Sequence, residues 1–251
     1  MINESIMISV CVRDCEKYLN NLKRNIDNIR SFVSDTKVLF VESDSADNTL
    51  DILKNYDDIE VISKGNMREQ FPERTDRLAR CRNVYLDVAE ESNFDYLLVL
   101  DGDSIGEEEI TEKSLASNFD YDDWDMMTAN QPKGYYDLWA LRHEDWMPFD
   151  CWEEFSKNRT KENFIRCIIS RFRKIDINEP RIKVKSAFGG AGIIKVSSIN
   201  GSRHVGLNEK NQRICEWVPF CKNLNNVYIN PMFVNSNTVS EHIINNMKML
   251  G

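Results

Sequence analysis

Phe94-Asp95-Tyr96-Leu97-Leu98-Val99-Leu100-Asp101-Gly102-Asp103-Ser104 is the stretch whose reading decides the fold. The unbroken apolar run from Tyr96 to Leu100 has the length of a buried strand covered on both faces and is too short to cross a bilayer. If that strand is parallel and central, Asp101 and Asp103 stand at the carboxyl edge of the sheet, where open α/β folds bind their ligands. Two aspartates around a glycine can aim at one point, and hard oxygen donors of this kind suit Mg²⁺ or Mn²⁺ with phosphate as co-ligand. Asp and Gly also make ordinary turns. Alone, the stretch leaves a metal site and a plain strand-end turn both open.

Toward the amino terminus, strands and helices alternate. Ile6 to Val12 is a β-branched strand, and from Glu16 Tyr18, Leu22, Ile26 and Ile29 recur at helical spacing. Lys37 to Val41 is a second strand ending on Glu42, Ser43 to Thr49 offers helix caps, and Ile59 to Ile62 is a third strand. This order predicts a parallel sheet with right-handed crossovers. Pro72 suits the start of a helix to about Glu91, with Leu78, Cys81, Tyr85 and Val88 as its core stripe. Arg74, Arg77, Arg80 and Arg82 lie off that stripe. Glu73 with Arg77 and Asp76 with Arg80 make surface i, i+4 pairs; planar guanidinium forks also suit a diphosphate.

Toward the carboxyl terminus, eleven acidic residues against Lys113 alone between Asp95 and Asp125 predict solvated surface. Asp125 to Ala129 and Tyr135 to Leu141 read as strands, the second rich in aromatic rings that fit a core or a sugar face. Cys151 to Lys174 reads as mostly helix, Val227 to Asn230 as a last strand, and the tail to Gly251 as a short helix. Between them lie Phe188-Gly189-Gly190-Ala191-Gly192, where glycines permit a tight turn or a close approach to a ligand, and Cys215-Glu216-Trp217-Val218-Pro219-Phe220. Neither the P-loop ending nor the GxGxxG spacing is present.

The totals bound the function. A chain of 251 residues with net charge −9 can bury a sizeable core and is not built for general nucleic-acid binding. With no apolar run of membrane length and no basic start followed by an apolar core, it is expected to be a soluble, cytoplasmic protein without a transmembrane segment. Seven scattered cysteines without CxxC pairs point to reduced packing thiols.

Five segments in order carry a resemblance: Val41 to Thr49 (VESDSADNT), Arg77 to Asn83 (RLARCRN), Leu98 to Asp103 (LVLDGD), Ala187 to Ile193 (AFGGAGI) and Cys215 to Phe220 (CEWVPF). The chain resembles a glycosyltransferase of the GT-A fold, most of all the fungal capsule-associated mannosyltransferases and related enzymes of bacteria and large algal viruses. The resemblance implies a single GT-A domain over 1–251, α/β, with a central mostly parallel sheet flanked by helices and a small antiparallel extension in the C-terminal half. It implies a nucleotide-binding half at about 1–104 and an acceptor-binding half at about 105–251. It further implies a metal-dependent transfer from a UDP- or GDP-linked sugar to a hydroxyl of a glycan or glycoprotein acceptor. The Val10, Val12 and Arg13 backbone would lie near the base, Glu42 or Asp44 would accept from base or ribose, and Arg77 and Arg80 would line the diphosphate. Asp103, with Asp101 directly or through water, would hold Mn²⁺ or Mg²⁺ beside Gly102. Gly189 and Gly190 would let a loop close, and Glu216 would be the general base of an inverting reaction or, in a retaining one, would position the acceptor or stabilise the sugar cation. Related sequences commonly carry His where this chain has Trp217.

Other readings share parts of this pattern. Leu98 to Ile105 also resembles the nucleophile motif of haloacid-dehalogenase-like phosphatases, with Asp101 phosphorylated. That motif usually opens the fold and is followed by a late Gly-Asp pair, which is missing. A sugar-nucleotide nucleotidyltransferase lacks its glycine-rich first loop here. A non-catalytic nucleotide-sugar-binding module is the third reading, and Trp217 is the feature that keeps it in view.

Overall fold

Strand β1 (Ile2–Val12) centres the parallel half because its two faces are both apolar: Ile6, Ile8, Val10 and Val12 enter one core and Met7 the other. The computed structural model describes residues 1–103 and 108–248. Ser104, the last residue of the quoted stretch and the expected boundary between halves, and Gly251 at the end of the tail lie outside them. After β1 come α1 (Leu19–Phe32), β2 (Val33–Glu42), α2 (Thr49–Lys54), β3 (Glu60–Ser63), α3 (Arg74–Glu90) and β4 (Tyr96–Asp101). The chain continues through α4 (Glu112–Ala116), β5 (Met126–Asn130), α5 (Cys151–Lys157), α6 (Lys161–Cys167), β6 (Ile182–Val184) and β7 (Ala191–Lys195). It ends with α7 (Val196–Ile199), α8 (Trp217–Cys221), β8 (Val227–Val234) and α9 (Glu241–Lys248).

The described strands form one sheet in the order β3-β2-β1-β4-β7-β5-β8-β6. The first four are parallel and level at their carboxyl ends: Val12 pairs with Glu42, Cys11 with Asp101, and Glu42 with Ser63. Strand β7 runs against both β4 and β5, while β5 and β8 are parallel and β6 is antiparallel at the edge. The antiparallel contribution is therefore inserted beside the central strand as well as added at the rim. Because β7 is reversed, its first residues lie at the carboxyl edge of β4, and the Asp101 N–H donates to the Gly190 carbonyl at 2.9 Å.

Alternation along β1, β2 and β4 divides the core in two. Leu19, Leu22, Ile26, Ile29 and Phe32 of α1 cover the face formed by Ile8, Val10, Phe40 and Leu98. Cys81, Tyr85, Leu86 and Ala89 of α3 join Met7, Val41, Leu97 and Val99 on the other. Each buried Leu, Ile or Val contributes about 1.5–3 kcal/mol. None of the seven cysteines is in a disulfide, and no described helix is long and apolar enough to cross a membrane.

Three expected elements differ. Tyr135 to Leu141 is not a strand and pairs only through the bridge Tyr135–Arg173. The Leu138 N–H turns back to the Tyr136 carbonyl, and the Asp137 carboxylate captures the N–H groups of Ala140 and Gly189. Cys151 to Lys174 is two short helices and a 3₁₀ turn, since Asn158 is extended and Thr160 caps a new start through its hydroxyl. Helix α3 buries Thr75, Arg77, Ala79 and Arg82 beside Cys81 and Tyr85, whereas Leu78 and Val88 are only partly covered.

Candidate active site

The carboxyl ends of β1 and β4, the first turns of α3 and the start of α8 surround one cavity of about 380 Å³. Val12, Arg13, Arg77, Asp101, Gly102, Asp103 and Glu216 all line it, so seven of the residues singled out in the sequence converge. Gly102 makes that approach possible, because a Cβ there would stand 2.8 Å from the Val12 side chain and 3.3 Å from the Cys11 carbonyl. Burial first, then the charge of Asp103, push the Asp101 carboxyl up to about 7, against the pull of Arg82. Its side chain keeps 28% of its exposure at the cavity.

Opposite the aspartates lies Glu216, 4% exposed, at the N-cap of α8. The segment 200–216 delivers it as a strap across α3. The Asn83 amide donates to the His204 carbonyl and accepts from the His204 N–H, and the Thr75 hydroxyl donates to the Gly206 carbonyl at 2.7 Å. Arg203 pairs with Asp87 and Glu90, and Arg213 with Glu73. Between Glu216 and Asp101 sits Arg82, 4% exposed, with Nη2 3.3 Å from Asp101 Oδ1 and Nε 3.1 Å from Glu216 Oε1.

The other sequence candidates are placed differently. The Val10 side chain is wholly in the core. Glu42 is buried and already engaged, accepting from the Ser45 N–H at 3.0 Å and the Ser63 hydroxyl at 2.5 Å. Asp44, at φ 58, accepts from the N–H groups of Met67 and Arg68, and its other oxygen lies 3.3 Å from Arg77 Nε. Glu42 and Asp44 line a second, more open hollow with Ser63, Gly65 and Arg68. Arg77 also donates to the Phe71 and Pro72 carbonyls, which holds it at the cavity wall. Arg80 turns outward, paired with Asp76 at 3.2 Å and stacked on Phe71, and does not line the cavity.

Gly189 and Gly190 form the turn that leads into β7. Both have positive φ, 69° and 81°, and the Gly189 carbonyl accepts from Gln131 and Asn235. A Cβ on Gly189 would lie 2.8 Å from the Ala129 carbonyl. Their contribution is indirect: the turn presents Phe188, which stacks on Trp217 at 4.2 Å on the cavity wall.

Sequence reasoning gave no specific role to three groups. Arg82 looks like its neighbours on α3, and only its place one residue beyond the buried Cys81 marks it. Asp137, Tyr136 and Trp139 line the cavity from a segment read as strand. His204 backs the site from 12 residues before Glu216, its ring stacked on Phe220 and edge-on to Trp217. No local pattern announces it.

Among the described residues no group of three or more His, Cys, Asp or Glu side chains is placed to hold a metal ion. Asp101 and Asp103 are the two carboxylates that the end of β4 brings to the cavity wall, and their mutual repulsion is what a cation relieves. That pair fits Mg²⁺ or Mn²⁺, which take one or two carboxylates and complete their shell with water and phosphate oxygens.

No protein-family model matches the chain, and no curated protein does. Among solved structures, S. aureus TarS 1-349 in complex with UDP-GlcNAc is 14% identical with a TM-score of 0.50, over 98% of this chain and 65% of that one. A further S. aureus TarS structure is 13% identical with a TM-score of 0.51, over 98% and 39%. Glucosyl-3-phosphoglycerate synthase from Mycobacterium tuberculosis, in complex with Mn²⁺, UDP and glucosyl-3-phosphoglycerate, is 11% identical over 81% of this chain and 60% of that one, with a TM-score of 0.42. The chain thus spans 39 to 65% of the TarS structures it matches. At these identities the likeness is one of fold: an α/β domain, as the alternation of strands and helices predicts, of the GT-A type that the resemblance implies.

Proposed function

We propose that the chain is a metal-dependent glycosyltransferase, of the kind represented by the fungal capsule-associated mannosyltransferases, that moves a sugar from a UDP- or GDP-linked donor to a hydroxyl of a glycan or glycoprotein acceptor. One observation carries the reading: a single cavity brings Asp101 and Asp103 at the carboxyl edge opposite the buried Glu216, with Arg13 and Arg77 on the same wall. The TarS structure that binds UDP-GlcNAc supports a nucleotide-sugar donor. The nucleotide half is then 1–104 and the acceptor half 105–251.

In this reading Val12, Arg13 and Arg77 hold the nucleoside diphosphate along the ends of β1 and α3. Asp103 and Asp101 would hold Mn²⁺ or Mg²⁺, which when bound supplies a counter-charge to the departing diphosphate. The bond between the anomeric carbon and the diphosphate oxygen breaks with its electron pair leaving on that oxygen. A bond forms from the acceptor oxygen to the same carbon, and in an inverting reaction the Glu216 carboxylate takes the hydroxyl proton. Trp217 and Phe188 exclude water from the Glu216 side, and the aromatic residues Tyr136 and Trp139 face the sugar.

The test is release of nucleotide from a panel of UDP- and GDP-sugars with and without Mn²⁺. Turnover by one donor, with Asp103→Ala slower by about 10²-fold or more, supports the reading. Glu216→Gln is expected to lower kcat by about 10²-fold while nucleotide affinity stays within about twofold. Parental turnover in Asp103→Ala removes the metal role; lost nucleotide binding in Glu216→Gln moves that residue into the donor site.

A further inference from the structure

The residue between the two ends of the cavity belongs to neither end. Arg82 donates from Nη2 to Asp101 Oδ1 at 3.3 Å and from Nη1 to the Tyr85 hydroxyl at 3.3 Å. Its Nε is 3.1 Å from Glu216 Oε1, yet that N–H is not aimed at the oxygen, so the contact is one of charge and the buried donor has no hydrogen-bond partner. The guanidinium lies against the Phe188 ring at 4.9 Å and the Trp217 ring at 4.7 Å. A planar cation held this way cannot be replaced by an ammonium without losing contacts.

A second route returns to the same residue. The Tyr85 hydroxyl lies 3.4 Å from His204 Nε2, and His204 Nδ1 lies 3.2 Å from the Glu216 carbonyl. Burial, then the charge of Arg82, hold the His204 imidazole well below its ordinary range, so it is neutral. A neutral ring has one donor and one acceptor. One assignment satisfies the chain: Nδ1–H donates to the Glu216 carbonyl, Nε2 accepts from the Tyr85 hydroxyl, and that hydroxyl accepts from Arg82. Arg82 therefore reaches the Glu216 carboxylate by charge and its backbone through Tyr85 and His204.

We propose that Arg82 is a positioning residue that joins the donor end of the cavity to the acceptor end, holding Glu216 in register with Asp101. The proposal rests on the glycosyltransferase reading above and goes beyond it: Arg82, one of four α3 arginines whose chemistry suits a diphosphate, is given a role on Glu216. A buried donor without a hydrogen bond calls for an explanation, and the charge contact of Nε with the Glu216 carboxylate supplies one. Arg82 touches neither sugar nor acceptor in this role; it acts through Glu216.

The experiment uses the full chain, Mn²⁺ and the nucleotide sugar that turns over in the panel. Arg82→Lys is expected to lower kcat by about 10²-fold with the donor KM within about threefold. Tyr85→Phe, which keeps the ring and removes the hydroxyl link, is expected to lower kcat by about fivefold and keeps the test open if Arg82→Lys does not fold. In a Glu216→Gln background, Arg82→Lys should cost less than about twofold more, because both act on one group. Full additivity there, or a rise in donor KM at constant kcat, overturns the proposal and makes Arg82 a donor-binding charge. Unchanged kcat in both folded single variants also overturns it. An active parent with an unaffected Arg82→Lys sinks this proposal alone, whereas a parent with no turnover of any nucleotide sugar sinks the functional reading and the positioning role together.

Discussion

At the scale of single residues, Asp101 has the clearest titration consequence. Its value in the folded protein, about 7, lies above the ordinary 3.8. A carboxyl raised in this way adds stability below about pH 4, and that contribution is lost as pH rises through about 7. Asp101→Asn is therefore expected to match the parent near pH 4 and to melt about 5 °C higher than the metal-free parent at pH 8. Mn²⁺ should raise the parent's Tm at pH 8 and leave Asp101→Asn nearly unmoved; a thermal-shift series over pH with and without metal reads both. Arg82 and Arg80 show why only part of such a site is legible in sequence. They are two residues apart on α3, yet one is 4% exposed between two carboxylates and the other stacks outward on Phe71. The difference lies in Glu216 and Trp217, which meet Arg82 from the far part of the chain, and local spacing carries no record of them.

At the scale of elements, the strap on α3 is the least forgiving contact. A Cβ on Gly206 would stand 2.1 Å from the Thr75 carbonyl oxygen, a backbone atom that cannot turn aside. Gly206→Ala is expected to cost about 2 kcal/mol or more in urea unfolding and to lower turnover by displacing Glu216. Gly201→Ala is the control: φ is +75° but nothing lies within 4 Å, so only backbone strain of about 1 kcal/mol is expected. Elements with a strong period were readable, as β1, β2, α1 and β4 show. Tyr135 to Leu141 was not, because its aromatic run has strand composition while the Asp137 carboxylate diverts its backbone into turns around the cavity. Cys151 to Lys174 has the composition of one helix, but extended Asn158 and the Thr160 cap divide it, and Ile168 ends the second helix before a 3₁₀ turn.

At the scale of the whole molecule, the sheet is most protected where both faces are covered. Amides of β1 and β4, between two cores, are expected to exchange slowest in hydrogen–deuterium exchange, and those of the edge strands β3 and β6 fastest. Rapid exchange in β4 would contradict this arrangement. The parallel half was legible because strand and helix alternate; the reversed insertion of β7 was not, since an apolar run reads the same in either direction. The strap has a consequence in time as well as in space. Its bonds to α3 join residues 111 to 140 positions apart. Closures this long bear a clearly larger entropic cost than the pairing of β1 with β2 (Ile6 with Thr36) and a slightly larger one than that of β1 with β4 (Ile6 with Tyr96). During refolding the chain is thus expected to complete its aspartate-bearing edge first and to receive Glu216 afterwards. Under the proposed function, a stopped-flow refolding series should show protection by Mn²⁺ and the nucleotide that the donor panel identifies appearing before turnover, so that donor binding precedes transfer competence.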